Sequence, residues 1–240
     1  MEEDLHIDRH ISRRYNEELQ GLHSSVLAMG GLVESQCREA LDALVNGDAE
    51  LAAKVAGADL EINQMEVEIS ARCTDILVRR QPAASDLRMI LAVIRVISDL
   101  ERVGDEAAKI GRLALKFAEG HDKQPWSTES RHLGTSVIGM LRGALDAFAR
   151  LDVDAAIATA GRDPEVDQEF DSLTRLMITH MMEEPRKVKG MLQVNWCARA
   201  LERIGDHAVN ICEQVVFLVE GSDVRHLPLD TIRQRFGSEE

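Results

Sequence analysis

Aromatic side chains are scarce in this sequence: phenylalanine, tryptophan and tyrosine together make up 3% of 240 residues. A core must therefore come from Ala, Leu, Ile, Val and Met, and that composition favours helices. No stretch alternates polar and apolar positions long enough to suggest a strand. Cysteine is sparse too. The four thiols (Cys37, Cys73, Cys197 and Cys212) are widely spaced with no Cys-x-x-Cys pair. With no leader pattern in "MEEDLHIDRH", they read as reduced, mostly buried thiols of a cytoplasmic protein. No apolar run approaches the roughly 18 residues that a membrane-spanning helix needs, so a soluble chain is expected. Basic residues are outnumbered, 28 against 42 acidic, for a formal charge of −14. That balance argues against nucleic acid, whose backbone selects clustered Lys and Arg. It leaves a role near a membrane open only through a protein partner.

What is present is repetition. "LERVGDEAAKI" at 100–110 returns as "LERIGDHAVNI" at 201–211, with seven of eleven positions identical. "EALDALVNGD" at 39–48 matches "GALDAFARLD" at 143–152, and "AGADLEIN" at 56–63 matches "AGRDPEVD" at 160–167, both with an offset of 104. Breakers are few: "NGD" at 46–48, "RRQPAASD" at 79–86, the polar stretch "EGHDKQPWSTES" at 119–130, "LDVD" at 151–154 and "MEEPRK" at 182–187. They divide the chain into three long helices, a linker and three more. The fold class expected is all-α, two tandem, internally duplicated three-helix bundles. The divisions expected are 1–118, a linker at 119–130, 131–226, and a C-terminal tail at 227–240.

Residues four apart on a helix share a face, so Glu101 neighbours Asp105 and Glu202 neighbours Asp206. The same stripe carries Ile94, Ile97, Gly104 and Ala108 in the first repeat, and Ala198, Gly205, Ala208 and Val209 in the second. The acids therefore sit near an inward face. A mid-helix glycine costs about 1 kcal/mol against alanine, which suggests close approach by a neighbour or ligand. If helices two and three of each half form a hairpin, Asp59 and Asn63 face the first pair, and Asp163 and Asp167 face the second. Glu34 comes to about the same height in the first half, where the second half has Ile138. Four carboxylate-type groups in one place repel unless protonated or bridged by a cation. The candidate metal ligands are thus Asp163, Asp167, Glu202 and Asp206, with Asp59, Asn63, Glu101 and Asp105 as a second set. Oxygen donors suit divalent or trivalent ions such as iron, zinc, magnesium or manganese. The competing reading is a solvated face, with Arg102–Asp105, Asp105–Lys109 and Arg203–Asp206 as ordinary helix ion pairs.

No Ser-His-Asp or Cys-His nucleophile arrangement and no glycine-rich phosphate loop is visible. His207, directly after Asp206, reads as support for a ligand or a partner for Arg203 or Glu202. His6 and His10 read as an exposed helix start, and Met177, Met181 and Met182 as core filling. The expectation is a protein that is not an enzyme; the alternative is a metal-dependent hydrolase or oxidase using the same clusters.

Two segments, "LVRRQPAASDLRMILAVIRVISDLERVGDEA" and "MMEEPRKVKGMLQVNWCARALERIGDHAVNICE", resemble the paired signatures of the phosphate-uptake regulators, the PhoU family. "EELQGLHSSVLAMGGLVE" at 17–34 is similar to that family's opening helix, and the resemblance covers residues 10–226. It implies two three-helix bundles, metal at the Glu-x-x-x-Asp positions, and a cytoplasmic, often homodimeric protein. It further implies negative regulation of phosphate uptake. The partners it implies are the ATPase subunit of the phosphate ABC transporter and a phosphate-sensing histidine kinase. In the second half Asp163, Asp167, Glu202, Asp206 and Asn210 match the family's polar positions. In the first, Asn63 stands where the family has Asp, and Lys109 stands where it has Asn. Lys109 is expected to compete with a cation for Asp105.

Overall fold

The computed structural model describes residues 13–118 and 127–237, and every regular element among them is helical. The first half comprises α1 (Arg13–Asn46), α2 (Ala49–Ala56), α3 (Asp59–Arg80) and α4 (Ala84–Ala118). The second repeats it as α5 (Ser127–Arg150), α6 (Val153–Ala160), α7 (Asp163–Glu183), a 3-10 turn (Pro185–Lys187) and α8 (Val188–Glu220). A last short helix, α9 (Leu229–Phe236), follows.

Local signals explain the boundaries. Asp48 and Asp152 cap the short helices, their carboxylates accepting from Leu51 N at 3.0 Å and Ala155 N at 2.9 Å. The turn before each cap needs a left-handed residue. Gly47 supplies it in the first half at φ 69°, whereas the equivalent Leu151 is held at φ 54°. The middle helix expected in each half is in fact two. Gly57 ends α2 and Gly161 ends α6, and the repeated "AGADLEIN" and "AGRDPEVD" are the sequences of that break. Two further boundaries differ from expectation. Helix α5 starts inside the segment expected as linker, and α9 occupies most of the expected tail.

The halves interlock. A single apolar cluster takes residues from both, from Leu19 and Leu22 on α1 to Val215 and Leu218 on α8. Helices α4 and α8 lie antiparallel, with Asn210 Nδ2 donating to Asp99 Oδ1 at 3.0 Å and Arg203 Nη1 to Glu106 Oε1 at 2.9 Å. This register brings Gly104 level with Gly205, at the centre of both repeated motifs. Helices α1 and α5 meet by reciprocal insertion: Leu145 packs over Gly30, and Leu41 packs over Gly134. Fully burying one such Leu contributes about 1.5–3 kcal/mol, whereas an exposed ion pair contributes about 0–1 kcal/mol. The shared apolar core, not the polar seam, therefore holds the halves together. All four cysteines are buried and free, as expected. Burial pushes the thiols of Cys37, Cys197 and Cys212 up to about 12 and that of Cys73 up to about 11, which leaves them unreactive.

Candidate metal centre

The second half sets its four expected carboxylates on two neighbouring helices, within electrostatic reach of one another. The break at Gly161 makes Asp163 the first residue of α7, where the helix dipole favours an acid, and Asp167 follows one turn later. Helix α8 brings Glu202 and Asp206 alongside. A β-carbon on Gly205 would meet Val166 at 3.7 Å and Asp163 Oδ1 at 4.0 Å, ordinary contact distances, so α7 passes close over this glycine. Glu202 is 9% exposed. Its Oε1 accepts from Arg199 Nη1 at 2.8 Å, and its Oε2 is buried with no hydrogen-bond partner.

These carboxylates feel one another. Burial first, then Asp167 and Asp206, push Asp163 up to about 6. Burial and the Asp206 charge raise Glu202; burial raises Asp206, with His207 and Arg199 opposing. The folded chain thus holds a proton on Asp163 up to about pH 6, while the ordinary value is 3.8. Lowering the pH through that window favours the folded state, because the folded chain binds the proton more tightly than the unfolded one. Ion-free protein should melt at a higher temperature at pH 5 than at pH 7, followed by circular dichroism. Asp163→Asn should flatten that difference; an undiminished difference would locate its cause elsewhere.

The first half repeats the arrangement with other side chains. Burial, Asp105 and then Glu66 raise the Glu101 carboxyl. Glu66, three residues past Asn63, is the α3 acid that acts on Glu101, and Ile62 is the residue against Gly104. Ile62 lies against Gly104 as Val166 lies against Gly205, the same register in both halves, and Asp59 stands at the start of α3, half-buried. Asn63 Oδ1 is buried without a partner. So are both amide atoms of Gln36, whose Oε1 lies 3.5 Å from the β-carbon position of Gly104. Sequence reasoning missed Gln36 and named Glu34, which instead pairs with Arg38 on the same helix. The available signal was a lone amide on the apolar stripe of Val33, Gln36 and Ala40.

The helix ion pairs of the competing reading are replaced by others. Lys109 Nζ donates to Glu106 Oε2 at 2.9 Å, not to Asp105, so it does not compete there. Arg203 also reaches Glu106, not Asp206. His207 pairs through Nδ1 with Asp99 of α4 at 2.8 Å, not with Arg203 or Glu202. Asp99 was not anticipated, although an acid between Val96 and Val103 on a buried stripe is a readable sign of an internal partner. Between the two motifs lies a cleft of about 470 Å³, lined by Arg102, Asp105 and Glu106 on one side and Arg203, Asp206 and His207 on the other. His6 and His10 lie outside the described residues.

Among the described residues, no three or more His, Cys, Asp or Glu side chains stand close enough together to hold a metal ion as they are placed. The donor chemistry of the second half nevertheless suits a hard cation: four oxygen-bearing acids, a buried oxygen without a partner, and mutual repulsion for a positive ion to relieve. The first half offers the same with one neutral amide in place of an acid.

A PhoU domain model matches the chain twice, at residues 26–114 and 130–215, once in each half. The chain belongs to the PhoU family. It is 47% identical over 228 residues to a phosphate-specific transport system accessory protein PhoU homolog of Pseudomonas aeruginosa, covering 95% of this chain and 94% of that protein. It is 42% identical over 231 residues to the phosphate-specific transport system accessory protein PhoU of Escherichia coli, covering 96% and 95%. The crystal structure of PhoU from Pseudomonas aeruginosa superposes with a TM-score of 0.84 at 48% identity, over 87% of this chain and all of that one (100%). The structure from Streptococcus pneumoniae, described as a phosphate transport system regulatory protein, gives 0.81 at 31% identity, over 88% and 99%. Tandem family domains and the repeated motifs thus coincide.

Proposed function

We propose that this chain is a cytoplasmic accessory protein that negatively regulates phosphate uptake. Its targets would be the phosphate ABC transporter, through the ATPase subunit, and a phosphate-sensing histidine kinase. The observation that carries this is end-to-end likeness to relatives named as accessory proteins of phosphate-specific transport, with both family domains in place. No helix among the described residues is long and apolar enough to cross a membrane, which is consistent with action from outside the bilayer. The protein acts by docking, not catalysis, and works as a homodimer.

The second-half carboxylates Asp163, Asp167, Glu202 and Asp206 would hold a divalent or trivalent cation. Asp59, Asn63, Glu101 and Asp105 would form a weaker counterpart. When bound, the cation supplies positive charge that offsets the repulsion among these acids. The chain's own residues then do the positioning: α7 and α8 are drawn into one arrangement around Gly205, and the surface they present is preformed. A strain lacking the protein should express phosphate-starvation genes and take up phosphate even in phosphate-rich medium. Normal repression in that strain, with no second copy of the gene, would overturn the regulatory reading.

A further inference from the structure

Helices α4 and α8 each leave one stripe uncovered, and the charge on those stripes runs against that of the whole chain. Along the later half of α4 the stripe carries Arg102, Lys109, Arg112 and Lys116, interrupted by Asp105. Along the early half of α8 it carries Lys189, Leu192, Trp196, Arg199 and Arg203. The Glu106–Arg203 and Asp99–Asn210 contacts fix an antiparallel register that lays these two runs side by side. Lys109 and Arg203 share Glu106, and Arg199 pairs with Glu202. Arg102, Arg112, Lys116 and Lys189 make no ion pair among the described residues. This is a basic face on a chain of net charge −14.

Two large apolar groups stand in the same face. Trp196 is 51% exposed and Leu192 41%, and both lie between Lys189 and Arg199 on one helix surface. We propose that this α4/α8 face rests against an anionic lipid surface. The α4 cations from Arg102 to Lys116 extend over about 20 Å, at the rise of an α-helix. Such a row suits a charged plane better than a compact anion. A plane of anionic headgroups matches the charge and also gives Trp196 and Leu192 an interface to enter. An indole with an apolar body and a polar N–H settles at headgroup level, and adjacent Lys and Arg add attraction to anionic headgroups. The cleft beside Asp105 and Asp206, which Arg102 and Arg203 also line, lies at one end of this face.

The test uses the full-length protein with Trp126→Phe, which leaves Trp196 as the single tryptophan of the chain. Its emission and its sedimentation are read with vesicles of phosphatidylcholine alone and of phosphatidylcholine with phosphatidylglycerol. The expected result is a blue shift and co-sedimentation with the anionic vesicles only, both suppressed at high salt. Arg112→Glu with Lys116→Glu, checked for native helicity, should weaken the apparent affinity about tenfold or more. Equal emission with both vesicle types, or undiminished binding by the double variant, would overturn the proposal. So would a shift produced by poly-glutamate and not by the anionic vesicles, which would assign the face to an acidic protein. The assay needs only purified protein, so it stands or falls separately from the phosphate reading.

Discussion

Replacing Glu202 and Asp206 together with alanine should abolish cation binding in the second half. The loss should exceed the roughly 10–100-fold that removal of a mere supporting group costs a metal site. Two of the four candidate donors go at once, including the one whose second oxygen is buried without a partner. Metal content should be measured on protein purified without chelator or affinity-tag metal, then by titration of the ion-free form. The same substitution should leave the ion-free protein at least as stable, because burial and mutual charge raise Asp163, Glu202 and Asp206 above their ordinary values. Wild-type loading in the double variant would make these acids a solvated face. The first half should bind more weakly. Asn63 contributes a carbonyl oxygen but no charge, while Lys109, engaged with Glu106, no longer counts against the site. Equal loading in both halves would mean that one carboxylate more or less does not decide affinity here.

Much of this arrangement is legible in the chain, for physical reasons. The all-α class follows from aromatic scarcity and 3.6-residue periodicity, and the duplication from the repeated motifs. The second-half cluster follows because a hairpin must set α7 beside α8, and carboxylates four apart must then share a face. Less legible was anything depending on exact side-chain placement or on contacts between halves. Glu66 of α3 acts on Glu101 after Asp105, and hydrophobic spacing alone does not single it out. The breaks at Gly57 and Gly161 were visible as repeated glycines but read as helix interior, since one glycine in a long amphipathic run is a weak stop. Asp99 with His207 depends on α4 meeting α8 across the duplication, at a sequence distance no local pattern encodes. The basic α4/α8 face was hidden by the total charge. A sum of −14 says nothing about how cations are sorted between faces of individual helices.

The contact between α1 and α5 should respond in matched pairs. A β-carbon on Gly30 would lie 2.5 Å from Leu145 Cδ2, and one on Gly134 would lie 2.5 Å from Leu41 Cδ1. Gly30 and Gly134 occupy equivalent positions in the two halves, as do Leu41 and Leu145, so each helix offers one knob and one hole to the other. Both leucines are buried, at 5% and 7% exposure, and have little room to turn aside. Gly30→Leu and Gly134→Leu should therefore each destabilise the protein by about 3 kcal/mol, the upper end of what overpacking costs, despite the better helix propensity of leucine. Leu145→Ala and Leu41→Ala should each cost about 2–5 kcal/mol by leaving cavities. The combinations Gly30→Leu with Leu145→Ala and Gly134→Leu with Leu41→Ala move the knob to the opposite helix. Each should be more stable than the sum of its single changes by about 1–3 kcal/mol, the range for directly touching residues. Mismatched combinations, such as Gly30→Leu with Leu41→Ala, should simply add. Urea denaturation of all variants gives the cycle. Additivity in the matched pairs would mean that the halves are not joined by this reciprocal packing, and that α1 and α5 part easily enough to absorb the extra bulk.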